Sequence, residues 1–153
     1  LSRCTNTLVL FQFVEKHGKP LYDMILKKAH KRRKIFYVSG ETDTDTREHI
    51  RKITEEQKNA IIVASLGTFS TGINIRNLHN IIFASPSKSQ IKVLQSIGRG
   101  LRKSEDGTTT KLYDISDDFQ HKSRKNYALL HSEERLKIYK KEKFKFKFYK
   151  VSI

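Results

Sequence analysis

Residues 7–13 read TLVLFQF, an apolar run of strand length with almost no position set aside for solvent. A strand that faces water on one side alternates, whereas one covered on both faces, as in a parallel sheet, is continuously apolar. Runs of the same kind recur as IFYV at 35–38, IIVA at 61–64 and IIFA at 81–84, and KLYDI at 111–115, after the turn at 105–107, is expected as a fifth strand. Between the first two, Pro20 suits a first helical turn after Gly18, and Leu21, Ile25 and Ala29 follow at four-residue steps, which predicts an amphipathic helix. Between the second and third, the Asp/Thr-rich residues 41–46 offer N-caps for a polar helix through about Gln57. The β–α–β–α–β alternation argues for an α/β fold, a parallel sheet with helices on both faces.

Beyond the fourth run, Ser87 and Gln90 have capping-box spacing, and Leu94, Ile97 and Leu101 form an apolar stripe. At 100° per residue Gln95, Arg99 and Arg102 gather on the other side of that helix. Two guanidiniums and an amide aimed together suit charge on a transferred phosphoryl group, and equally suit surface pairing with carboxylates. The chain ends in a charged helix expected over about 122–141 and a period-2 segment, in which Phe144, Phe146 and Phe148 alternate with Lys145 and Lys147, expected to be a strand over 143–153. Its phenylalanines would pack over the Leu129, Leu136 and Tyr139 side of the helix. The lysines then have two readings, protection of a sheet edge or contact with phosphates. The domain division expected is 1–118 for the sheet and 119–153 for a basic helix-strand extension packed on the same domain.

Charge narrows the partner. Among 153 residues, 31 Lys and Arg face 16 Asp and Glu, a net +15. Residues 119–153 carry a disproportionate share, and the run Lys27, Lys28, Lys31, Arg32, Arg33, Lys34 exceeds what a helix C-terminus explains, so Arg32 and Arg33 are candidate nucleic-acid contacts. A polyanion, DNA or RNA, is the implied partner. One cysteine excludes an intramolecular disulfide and a cysteine-built zinc site. Six histidines lack metal-binding spacing and are read as surface or packing residues, so no metal site is expected in the chain. No apolar run approaches the roughly 20 residues that cross a bilayer, and no signal-peptide pattern opens the chain, so the expected setting is the cytoplasm.

Four segments in order carry a resemblance. TLVLFQF, the strand-end YVSG at 37–40, ASLGTFSTGINI at 64–75 and QSIGRGLR at 95–102 resemble motifs IV to VI of the second RecA-like lobe of superfamily 2 helicases and translocases. The G-R-G-L-R variant and the lysine/phenylalanine ending are most similar to the bacteriophage recombination and repair helicases. The resemblance implies that Arg99 and Arg102 reach the γ-phosphate of ATP held on a partner lobe, with Gln95 and Gly98 shaping that interface. It implies that Gly72 and Asn74 approach the nucleotide, and that Ser39, Gly40, Ser65 and Thr68 contact the DNA backbone. Asn74 stands where many relatives carry Asp, and Ser65 where many carry Thr; both keep hydrogen-bonding capacity.

The chain has no G-x-x-x-x-G-K-[ST] loop and no acidic box, so the phosphate cradle and the Mg²⁺ ligands are expected on an N-terminal RecA-like lobe of the same protein. The expected function is the second motor lobe of an ATP-dependent DNA helicase acting on branched DNA, or duplex with single-stranded regions, in recombination and repair. On this reading the chain is the C-terminal part of a larger enzyme and is inactive alone. The competing reading is a non-catalytic nucleic-acid-binding module on the same scaffold.

Overall fold

The computed structural model describes residues 5–70, 75, 77–85, 109–119, 124, 126–151. The chain divides into two units, Leu1–Ile115 and Ser116–Ile153. In the first, strands β1 (Thr7–Phe11), β2 (Lys34–Val38), β3 (Ala60–Ser65), β4 (Asn80–Phe83) and β5 (Lys111–Asp114) pair in the order β2-β3-β1-β4-β5. Every pairing is parallel. The continuous apolar runs are the strands, and β1 and β3 are buried along their whole length, as double coverage requires.

β1 is shorter than its apolar run. Gln12 leaves the ladder and turns its N–H toward the Ser85 hydroxyl, while the Phe13 carbonyl accepts from His17 and Gly18 N–H at 2.9 and 3.0 Å. Those two bonds close a π turn over Val14–Gly18 that delivers the chain into α1 (Lys19–Lys28). Gly18 is demanded by close approach, because a Cβ there would lie 2.5 Å from the Phe11 ring and 2.8 Å from the Tyr37 hydroxyl. Tyr37 stacks on Phe11 and meets Tyr22, and its burial pushes the phenol above its ordinary pKa.

The predicted stripe of α1 is the packed one. Leu21, Ile25 and Ala29 lie against Val9, Phe11, Ile61 and Val63. From β1 the chain passes over β3 to reach β2, then returns through α2 (Thr44–Glu56) to β3. Right-handed connections travelling in opposite directions place α1 and α2 on opposite faces of the sheet. Ile50 and Thr54 are the buried residues of α2, and Asp43 caps its start by accepting from the Thr46 N–H at 2.8 Å and the Thr46 hydroxyl at 2.7 Å.

The amino-terminal end of the sheet is closed by one fully buried amide. Asn6 donates to the carbonyls of Thr54 (2.7 Å) and Asn77 (2.9 Å) and accepts from the Ala60 N–H (3.0 Å). Its carbonyl accepts from His79 and Asn80, each at 3.1 Å. One side chain therefore joins the start of β1 to the end of α2, the start of β3 and the approach to β4.

The second unit holds α4 (Tyr127–Lys141); the helix α3 (Leu66–Ser70) belongs to the first. Before α4, the Asn126 side chain donates to the Asp117 carbonyl and accepts from the Phe119 N–H, tying down the preceding segment. The expected helix start at 122 falls outside the described residues. The strand expected over 143–153 is not formed: residues 144–151 carry no strand. Lys143 has φ 57°, its N–H bonds to the Lys140 carbonyl, and the Phe144 N–H bonds to the Tyr139 carbonyl. This is a Schellman turn, and its usual apolar contact is supplied by Phe144 against Tyr139, ring centroids 6.3 Å apart. Phe146 also returns to Tyr139, at 6.3 Å, and Phe148 meets Phe146 edge-on. The alternation thus serves a folded-back aromatic cluster, which needs no neighbouring strand to satisfy its backbone. Lys145 and Lys147 are exposed.

Two consequences are measurable. Asn6→Ala leaves two buried backbone groups, the Thr54 carbonyl and the Ala60 N–H, and the partly buried Asn77 carbonyl short of a partner, at about 1–3 kcal/mol for each buried group, so the urea midpoint should fall by the equivalent of at least ~2 kcal/mol. A loss under ~1 kcal/mol would mean that water replaces the amide at no penalty. The Asp43 carboxyl is held below the ordinary carboxylate range, chiefly by the Thr46 hydroxyl and N–H. A lowered folded pKa stabilises above the unfolded value, about 4, and is lost as pH falls through the folded one. The stability gap between wild type and Asp43→Asn should therefore be full at neutral pH and close in acid; a gap independent of pH would contradict the assignment.

Candidate functional site

Parallel strands deliver all their carboxyl ends to one rim, and in such sheets ligands bind where the connections diverge. Phe11 and Ser65 are register partners, so β1 and β3 end at the same level. The chain leaves β1 toward β2 and leaves β3, through α3, toward β4. Such opposite departures mark the switch point at which a crevice forms in sheets of this kind.

On the β3 side, the Ser65 and Thr68 hydroxyls lie 2.6 Å apart, and the Thr68 N–H donates to Ser65 Oγ at 3.3 Å. Both residues are buried, and the pair fixes the turn from β3 into α3. Gly67 sits between them, exposed, with space above it in which a Cβ would touch nothing within 4 Å.

At the end of β2 a second polar turn is tied in place. The Ser39 N–H donates to Thr42 Oγ1 at 3.0 Å, the Thr42 N–H returns to the Ser39 carbonyl at 3.1 Å, and the Glu41 N–H reaches Ser39 Oγ at 3.4 Å. Arg47, in the first turns of α2, donates to the carbonyls of Ser39 and Gly40. Gly40 is exposed, with no atom within 4 Å of a would-be Cβ, so a ligand can approach its backbone directly. Sequence reading missed Thr42 and Arg47; only Thr42, three residues after Ser39, carried a local turn signal.

Between β1 and β4, Ser85 Oγ lies 3.0 Å from His17 Nδ1 and accepts from the Gln12 N–H. The Phe13 ring rests on His17 at 5.3 Å while remaining 51% exposed. His17, read in sequence as a surface or packing residue, is held at the rim by these contacts.

The structure brings Ser39, Gly40, Ser65 and Thr68 to this end of the sheet and places Arg32 and Arg33 at the other. The Arg33 guanidinium donates to the carbonyls of Thr5 (2.6 Å) and Ala60 (3.4 Å), at the amino-terminal ends of β1 and β3. Lys145 and Lys147 belong to the second unit. Gly72, Asn74, Gln95, Gly98, Arg99 and Arg102 lie outside the described residues. Among the described residues no group of three His, Cys, Asp or Glu could hold a metal, and no helix is long and apolar enough to cross a membrane.

Comparison with known proteins bears on the family and the fold. The model of the helicase conserved C-terminal domain matches residues 1–104. The chain is 40% identical over 151 residues to the ATP-dependent DNA helicase uvsW of Enterobacteria phage T4, covering 92% of this chain and 29% of that protein. The crystal structure of T4 UvsW superposes with a TM-score of 0.70 at 39% identity, covering 91% of this chain and 29% of that one. The C-terminal part of the Fun30 ATPase domain matches with a TM-score of 0.60 at 15% identity over 90% of this chain and 48% of its own, which speaks for the fold alone. The same holds for Mss116p DEAD-box helicase domain 2 bound to an RNA duplex, TM-score 0.60 at 16% identity over 76% and 44%. The chain thus spans under a third of the phage helicase it matches. It belongs to the helicase conserved C-terminal domain family, as the second RecA-like lobe of a superfamily 2 helicase.

Proposed function

We propose that this chain is the ATP-responsive second lobe of a DNA helicase or translocase that works on branched DNA, or duplex with single-stranded regions, in recombination and repair. The observation that carries the reading is the arrangement of the rim. The polar turns Ser39-Gly40 and Ser65-Thr68, each with an exposed glycine, Gly40 or Gly67, lie at neighbouring strand ends of one RecA-like sheet, within a chain 40% identical to an ATP-dependent DNA helicase. Hydroxyls and exposed glycine backbone at strand ends suit a phosphate chain, which needs donors at regular spacing and no base-specific contact.

On this reading Ser39, Gly40, Ser65 and Thr68 grip the nucleic-acid backbone, and Lys145 and Lys147 add cationic contact. Arg99 and Arg102 stabilise charge on the γ-phosphate in transit, with Gly72, Asn74, Gln95 and Gly98 shaping the nucleotide side. The donor set fits that role, because arginine, amide and glycine donors match phosphate oxygens, while none of these residues is a carboxylate able to hold Mg²⁺. The metal and the phosphate cradle then belong to the N-terminal lobe. Closing on ATP and reopening after hydrolysis moves this lobe's backbone grip relative to the other, which is how a nucleotide cycle becomes translocation.

In the protein carrying both lobes, Arg99→Ala and Arg102→Ala should each lower kcat of DNA-stimulated ATP hydrolysis more than KM, since an interaction made with transition-state charge is lost from the barrier rather than from binding. Arginine fingers supply about 10³-fold or more, so a fall of less than about tenfold for both would leave only the binding-module reading. Gln95→Ala should be milder. The 153-residue chain alone should show no turnover, and turnover abolished by Arg99→Ala in that chain would place the whole ATP site here.

A further inference from the structure

The end of the sheet opposite the rim carries a second surface that the motor reading does not use. From Met24 to Gly40 the sequence holds no carboxylate, yet it holds Lys27, Lys28, Lys31, Arg32, Arg33 and Lys34. In the fold these residues end α1, form the turn into β2 and begin β2. Arg33 is the structural member, bonded to the Thr5 and Ala60 carbonyls. The other five are exposed, and none makes an ion pair among the described residues. The nearest carboxylates in sequence are Asp23, one helical turn before Lys27, and Glu41, past the far end of β2; on the adjoining end of α2, Glu55 is engaged by Arg51.

The turn is also rigid. The Arg33 N–H bonds to the His30 carbonyl at 2.9 Å, the Arg32 N–H approaches His30 Nδ1 at 3.3 Å, and Asn59 Nδ2 donates to the Arg32 carbonyl at 3.0 Å. A C-terminal helix dipole accounts for Lys27 and Lys28. It does not account for Lys31, Arg32 and Lys34, which lie beyond the helix and gather like charge on an anchored turn at a repulsive penalty.

We propose that this turn is a second nucleic-acid surface, holding the phosphate backbone of a duplex segment other than the strand on the rim. Strand length separates the two sites: five residues of β2 at about 3.3 Å each put them roughly 16 Å apart along the sheet. That exceeds the ~8–10 Å over which exposed charges interact in physiological salt, so the turn's cations do not act through the field on a phosphate held at the rim and need phosphates of their own. Two separated phosphate-binding ends on one lobe suit a substrate that presents two arms. Duplex, with its dense phosphate array, is the occupant that five clustered cations match.

The test measures binding of the 153-residue chain to a short blunt duplex across salt concentrations, so it does not depend on ATP turnover, and failure of the motor reading would leave it unaffected. Lys28→Gln/Lys31→Gln/Arg32→Gln should weaken duplex binding and flatten the slope of log K against log [salt] by about 2–3, at roughly 0.9 per lost contact. Arg33 is left intact because its loss would disturb the sheet, and an unchanged circular dichroism spectrum and urea midpoint confirm that the triple variant is folded. A triple variant with unaltered affinity and slope overturns the proposal. So does a wild-type chain that binds poly-glutamate as tightly as duplex and loses it in the same variant, since the surface would then serve an acidic protein.

Discussion

Everything in the first unit follows from the requirement that β1 be covered on both faces and paired on both edges. Its five residues are buried, with β3 on one side and β4 on the other, all parallel. A parallel pair cannot be closed by a tight turn, so each strand must be followed by a long crossover, and right-handedness then assigns those crossovers to faces. The same requirement points every carboxyl end to one rim and every amino end to the other. The polar chemistry divides accordingly. Hydroxyl-rich turns with open glycine backbone occupy the rim, whereas the other end combines the Asn6 node with an uncompensated cationic turn.

That division explains which features were legible in sequence. Strands are set by hydrophobic burial, so TLVLFQF, IFYV, IIVA and IIFA disclosed them, and the four-residue spacing of Leu21, Ile25 and Ala29 disclosed the packed side of α1. Asp43 was readable among the capping candidates because an N-cap acts within three residues. Asn6 was not readable, since its partners Thr54, Ala60 and Asn77 are distant in sequence and no local pattern marks a buried amide that joins them. Arg47 escaped notice for the same reason: its bonds to Ser39 and Gly40 carbonyls exist only once α2 has folded back on its own cap.

The ending shows how a correct pattern can mislead. Alternating phenylalanine and lysine describes one apolar and one cationic side, which a strand provides, but so does a chain turned back over a helix end. The Schellman bonds at Lys143 and Phe144 decide for the latter, because they satisfy helix carbonyls that a departing strand would leave to solvent. For the candidate site, Ser39, Gly40, Ser65 and Thr68 were named from a resemblance, and the fold places them at one end of the sheet. Placing Arg32 and Arg33 at the other end required the fold itself, since run-length of charge carries no direction.

The central claim is that this lobe completes an ATP site whose phosphate cradle lies on another lobe. Its most direct test is the structure of the two-lobe protein bound to ADP with a fluoroaluminate in place of the transferred phosphate. The account predicts guanidinium nitrogens of both Arg99 and Arg102 at hydrogen-bond distance, about 3 Å, from the fluoroaluminate. Guanidiniums paired instead with carboxylates of their own lobe, with the analogue enclosed entirely by other residues, would contradict it.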